Sequence, residues 1–378
     1  MSPHSEATLA PVNGEESTPS SGLALRAFLD SGAPEGSTDY TTLVILHGLG
    51  WHAGNFKKLL PFAKQLNVRI VLVNRRDYPG SRPYTPEERA ALARLASADP
   101  SPEAAADTAA FVKQHARDIY DFLADFVQHE RVPAPQGNAT GGIVIVGWSL
   151  GCISMNALLA NVGSFPVGNI QLSKYVRRVV LYEPWHGLHG YPYPKDYYHP
   201  LHDTSLSDAE RLATFDAWVS GYFDHGDVWT QGAAALEFRT PSANPPSTSS
   251  RMTAAELAES TYAAPAQADG SDMQLIRAFN TQALWAPLKD QALYLREPAP
   301  GADDWRNVEV RYVWGDRTTW EMLWCEYLFT KELEEARAAG KPFRNVEIVH
   351  LKGANHFAHW DMPEQALEAF VGDSRRNQ

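Results

Sequence analysis

Four short stretches of this 378-residue chain are apolar at nearly every position instead of every second one: "TTLVILHG" (41–48), "VRIVLVNRR" (68–76), "GGIVIVGWS" (141–149) and "VRRVVLYEP" (176–184). A strand wetted on one side alternates; one that is rich in Val, Ile and Leu throughout is covered on both faces. Segments with helical period separate these runs. "NFKKLLPFAKQL" follows the first, "AADTAAFVKQHARDIYDFLADFVQHE" the second and "SMNALLANV" the third. Alternating signals of this kind call for an α/β fold, a mostly parallel sheet flanked by helices and joined by right-handed crossovers.

The alternation lapses from about Leu188 to Arg306. There the chain is rich in Pro, Tyr, Trp, Asp and Ala, with helical pieces such as "SDAERLATFDAWVSGYF" and "DMQLIRAFNTQALW" around a loop-like tract, "RTPSANPPSTSSR". Strand signals return with "NVEVRYVWGD" (307–316) and "FRNVEIVHLKG" (343–353), and "MPEQALEAFVGD" closes as an amphipathic helix. Because the sheet pattern resumes, the expected organisation is one α/β core (23–187 and 307–378) carrying a helical cap, or lid (188–306). Residues 1–22 are rich in Ser, Pro and Glu and lack the basic start and apolar stretch of a secretory signal, so they read as a disordered leader.

Composition narrows the partners. A formal net charge of −12 argues against nucleic acid or an anionic membrane. No run of 18 apolar residues occurs, so no stable membrane insertion is expected. The two cysteines, Cys152 and Cys325, make neither a disulfide framework nor a zinc site. A cytoplasmic protein with no metal and no cofactor is the expectation. The sequence carries no mark of oligomeric state.

The chemistry gathers at strand ends. Ser149 in "GWSLG" sits where "IVIVGW" ends and "LGCISMNALLA" begins as a helix. A plain turn serine would satisfy the pattern, but a sharp strand-to-helix bend that thrusts a serine hydroxyl outward demands this context. Gly147 and Gly151 suit such a bend, since the helix must pass close to the strand. "LVILHGLGWHAGNF" places a second glycine-rich turn at another strand end. There the Leu49 N–H, with that of Leu150 at the helix start, is expected to face a developing oxyanion. His47 is read as structural, holding the loop.

A serine needs a base. His356 in "LKGANHFAHW" follows the last strand signal, and His359, at the start of the closing helix, is expected to cap or pack. A carboxylate must hold that base in one tautomer. Asp316, which ends the penultimate strand, is the first choice, and Glu183 in "VVLYEPWHG" the alternative. If Asp316 is the acid, Glu183 shapes the pocket or anchors the insertion.

With "HGLGWHAGNF", "GWSLG", "WGDRT" and "GANHF" in this order, the chain resembles the α/β-hydrolase superfamily over about 40–187 and 307–372. The resemblance implies an eight-stranded, mostly parallel sheet with a cap inserted after strand six. It also implies a Ser-acid-His triad mapping onto Ser149, Asp316 and His356. The cap and its borders are aromatic, so a lid over the serine would form an apolar enclosure for a hydrophobic small molecule. Expected wall residues are Gly48, Trp51, Trp148, Glu183, Trp185 and Tyr191. The leading expectation is a serine hydrolase cleaving an ester or lactone. An acyltransferase, a thioesterase, a C–C bond hydrolase using the same triad and a ligand-binding protein that keeps the fold without turnover are the alternatives.

Overall fold

The computed structural model of the protein describes residues 22–137 and 139–373, so the expected leader lies outside the described residues apart from Gly22. Its centre is a seven-stranded sheet: β1 (Arg26–Asp30), β2 (Thr41–Leu46), β3 (Val68–Asn74), β4 (Ile143–Trp148), β5 (Val176–Tyr182), β6 (Glu309–Gly315) and β7 (Val346–Leu351). Their order across the sheet is β1-β3-β2-β4-β5-β6-β7. Only β1 runs antiparallel to its neighbour.

All six strand signals lie in this sheet, and every residue of β2, β3, β4 and β5, which match the four apolar runs, is buried. The first strand, "RAFLD", was not legible because it sits on an edge and is largely exposed. An edge strand needs no continuous apolar run. The sheet has seven strands among the described residues, not the eight that the family resemblance implied.

Between β3 and β4 two helices stand where one was read. Pro86–Ser97 opens on a capping box, in which the Thr85 hydroxyl accepts from the Glu88 N–H and the Glu88 side chain returns to Thr85. Pro102–His129 opens on Ser101, whose side chain accepts from the Ala104 N–H. The stretch after β2 is a 3₁₀ run, Ala53–Phe62. Pro61 inside it has no N–H to give to an α-helical ladder.

The long excursion from Glu183 to Val308 lies between β5 and β6, after the fifth of seven strands and not the sixth of eight. It contributes to the hydrophobic packing on both faces of the sheet. Leu275, Phe279, Trp285 and Leu288 belong to the same buried cluster as Val179 and Leu181 of β5. Trp218, Phe223, Val228 and Met252 belong to the same buried cluster as Val146 of β4 and Val180 of β5. The parallel strands therefore present their C-terminal ends, where His47, Ser149, Glu183 and Asp316 follow β2, β4, β5 and β6, to a rim partly roofed by this excursion.

Phe279 is fully buried, its ring 4.5 Å from that of Trp285. Phe279→Ala should cost about 3–5 kcal/mol of stability. A single thermal transition displaced as a whole is expected, because the excursion shares its core with the sheet. A melt in two steps, with only one displaced, would mean that the excursion folds by itself.

Candidate active site

Ser149 has φ +53°, a conformation rarely held by a residue with a side chain. The chain leaves β4, turns through Ser149–Gly151 and enters the helix Cys152–Asn161. The flanking glycines are required by contact. A Cβ on Gly147 would lie 2.4 Å from the Gly151 carbonyl oxygen, and one on Gly151 would lie 2.7 Å from the carbonyl oxygens of both Leu46 and His47. Gly48 is equally close to the serine, since its Cβ would meet that of Ser149 at 3.0 Å. The loop after β2 thus lies directly against the bend after β4.

His356 is buried, and its Nδ1 lies 3.0 Å from Oε2 of Glu183. Glu183 is itself fully buried and also has a positive φ, +55°. The Gly315 N–H donates to its Oε1 at 2.6 Å and the Thr318 hydroxyl to its Oε2 at 2.5 Å. Asp316, expected in this place, is elsewhere. Its carboxylate accepts from the Gly353 N–H at 2.5 Å and faces His350 Nε2 at 3.3 Å, with the side chain 35% exposed. The chain passes close to the turn after β7 just before Asp316: a Cβ on Gly315 would lie 2.3 Å from the Ala354 carbonyl oxygen. Beyond that contact Asp316 is occupied with the turn after β7, and Glu183 reaches the imidazole instead.

His359 is in the core, as the packing alternative required. Its Nε2 lies 2.8 Å from the Asn55 amide nitrogen, its Nδ1 3.2 Å from the Tyr182 hydroxyl, and its ring stacks on Phe56 at 4.3 Å. Because the amide can only donate, Nε2 accepts and Nδ1 carries the proton. Desolvation, then the neighbouring His356, holds His359 well below the usual imidazole range.

The loop after β2 is braced by charge. The Arg75 N–H donates to His47 Nε2 at 3.1 Å, so the proton on Nδ1 points to the Gly48 carbonyl, 3.0 Å away. The Arg75 guanidinium donates to the carbonyls of His47 and Gly48 at 3.1 and 2.9 Å. It also grips both carboxylate oxygens of Asp272, in the excursion, at 2.7 and 2.6 Å. Tyr78 completes the set, donating to Asp272 at 2.8 Å and accepting from the Gly50 N–H at 3.1 Å. Nothing local in the sequence marks Arg75 and Asp272 as a pair, since 197 residues separate them.

A cavity of about 650 Å³ opens above the serine. Ser149, Leu49 and Leu150 line it, as do Trp185 and Tyr191. The other expected wall residues are not part of its lining. Trp51 is buried edge-on against Phe357, and Trp148 is fully buried among Phe56, His356 and His359, donating to the His356 carbonyl at 3.0 Å. Gly48 lies beneath the serine and Glu183 behind the imidazole, both buried. Sequence reasoning missed His199, His202 and Glu321, polar members of the wall contributed by segments more than a hundred residues apart.

Among known proteins, the sequence pattern described as "Alpha/beta hydrolase family" matches residues 43–370. No curated protein sequence matches the chain. Solved structures similar to it include an esterase from Exiguobacterium antarcticum (14% identity, 93% of this chain and 100% of that one, TM-score 0.46). A bromoperoxidase from Bacillus anthracis (15%, 91% and 94%, 0.45) and epoxide hydrolase A from Mycobacterium thermoresistibile (15%, 92% and 97%, 0.45) are others. Likeness at this level says nothing of chemistry. No helix among the described residues is long and apolar enough to cross a membrane.

Burial, the largest cause in each case, holds His47 and His359 well below the usual imidazole range, His186 at about 4 and His189 at about 3. The unfolded chain therefore binds protons that the folded one refuses once the pH drops through about 6.5. The stability these groups leave intact above that pH is lost below it, by up to about 1.4 kcal/mol per pH unit for each histidine. Urea melts at pH 7, 6 and 5 should show a falling midpoint, and His359→Gln should fall less steeply than the parent. Equal slopes would contradict a neutral, buried His359.

Proposed function

We propose, because the chain belongs to the alpha/beta hydrolase family, that it is a serine hydrolase cleaving a carboxylic ester or lactone of a largely apolar small molecule. One observation carries this reading. A serine held at φ +53° on the cavity wall and a buried Glu183–His356 pair occupy the ends of neighbouring parallel strands and the loop beyond β7. A serine without chemistry has no need of that strain or of a carboxylate committed to an imidazole.

The roles follow from the atoms. With Nδ1 directed at Glu183, Nε2 of His356 removes the Ser149 proton as the hydroxyl attacks the substrate carbonyl. The N–H groups of Leu49 and Leu150 receive the oxyanion, each worth roughly a hundred- to a thousandfold in rate. His356 then gives its proton to the leaving alcohol. Water, deprotonated by the same nitrogen, attacks the acyl-enzyme and releases the acid. Glu183 keeps its charge throughout and stabilises the imidazolium. The Arg75–Asp272 pair keeps the loop bearing Leu49 in place, and the 188–306 excursion acts as the lid over the cavity.

Ser149→Ala should abolish turnover of p-nitrophenyl butyrate and labelling by a fluorophosphonate while the melting temperature stays within a few degrees. Well-folded parent protein that shows neither turnover nor labelling would make this a binding protein. Glu183→Gln should lower kcat by about a thousandfold or more, by the logic of a base left in the wrong tautomer. Asp316→Asn should leave kcat within about threefold and cost about 1 kcal/mol of stability through the weakened turn at Gly353. The reverse ranking of the two acids in kcat would refute the assignment of Glu183.

A further inference from the structure

Part of the cavity wall is charged. Glu321 lies in the first turn of the helix Trp320–Ala338 and is 6% exposed, and it lines the cavity together with His199 and His202. Its protein partners are distant ones. Oε2 is 3.4 Å from His199 Nε2 and Oε1 is 3.7 Å from His186 Nδ1. His199 Nδ1 accepts from the Leu201 N–H at 3.2 Å, so in the neutral ring the proton sits on Nε2, toward Glu321. Neither ring nitrogen of the fully buried His186 has a hydrogen-bond partner among the described residues. No lysine or arginine of the described residues forms an ion pair with Glu321.

A carboxylate this buried ordinarily has a counter-ion or several short hydrogen bonds. Burial pushes Glu321 up, but His199 and His186 more than offset it and hold the group below the usual carboxylate range. Burial in turn holds His186 at about 4 and lowers His202, so neither of these two imidazoles supplies a counter-charge near pH 7. Around it the cavity presents aromatic faces, Tyr193 and Phe215, which favour a cation over an anion.

We propose that Glu321, flanked by His199 and His202, is a cation subsite of the cavity, and that the ligand carries a protonated amino group there. An ammonium supplies both the missing charge and up to three N–H donors, where a hydroxyl supplies one donor and no charge. The subsite stands on its own geometry; calling its ligand a substrate rests on the reading of Ser149 given above. The remainder of the wall, with Trp185, Trp285 and Ile276, accepts the apolar body of the molecule.

Hexan-1-amine, protonated at pH 7, and hexan-1-ol match in length and differ in charge, so calorimetric titration of the full chain with each isolates the subsite. The amine should bind at least about tenfold more tightly, and Glu321→Gln should reduce that preference to within about twofold. Equal affinities in the parent, or an undiminished preference in the variant, would overturn the proposal. If the variant does not fold, the comparison in the parent decides alone. Turnover of the neutral p-nitrophenyl butyrate is followed alongside. Turnover without amine preference removes the subsite only, and amine preference without turnover removes the hydrolase reading only.

Discussion

Strands β4 and β5 pair in parallel with Trp148 opposite Tyr182, so the next residue on each, Ser149 and Glu183, leaves the sheet at the same level. Both are forced to positive φ, at a cost of about 1–3 kcal/mol each. The strain persists because the surroundings over-determine it. On one side Gly147 and Gly151 bring the helix against the strand. On the other the Glu183 N–H donates to Val313 of β6 at 2.9 Å while its carboxylate is held by Gly315 and Thr318. A change of one residue in this register would turn each side chain to the opposite face of the sheet.

Charge is distributed with the same economy. At the N-terminal ends of β5 and β6, Arg178 and Arg311 both bind Glu309, and Arg311 also reaches Glu347 on β7. Their guanidinium groups also donate to carbonyls at the end of the closing helix, those of Phe370 and Ala369. These ion pairs are buried and lie at the end of the sheet away from the cavity. At the C-terminal rim the histidines His47 and His359 are desolvated and neutral, and Arg75 is matched by Asp272. Glu321, by contrast, faces only imidazoles, His199 and His186, with no lysine or arginine among the described residues in an ion pair with it.

The parallel core was legible because burial on both faces leaves an unbroken apolar run: four such runs found β2 to β5, and two mixed strand signals found β6 and the partly exposed β7. Ser149 and His356 were legible because their positions depend on local chain direction: a glycine-flanked turn after one strand, a loop after another. The carboxylate that contacts His356 was harder. Glu183 and Asp316 both follow strands that pair with each other, and the choice between them turns on the direction of a single side chain. Asp316 turns to the Gly353 N–H and Glu183 to His356, partners that no stretch of sequence displays. Trp51 and Trp148 were assigned to the wall from their nearness in sequence to the loop and the serine. In a strand, however, the residue beside an outward one points inward, and Trp148 is buried accordingly. Glu321, His199 and His202 meet only through the tertiary path, with no periodicity to announce them.

The excursion between β5 and β6 shares its interior with the sheet: its aromatic residues belong to the packed clusters on both faces. It consequently cannot be traded as a module. A foreign segment spliced at the same borders would strand Val146, Val179, Val180 and Leu181 against unmatched shapes and leave Arg75 without Asp272. New preferences in this lineage are thus expected to accumulate by replacement of individual side chains around the chamber, with the scaffold that surrounds them inherited whole.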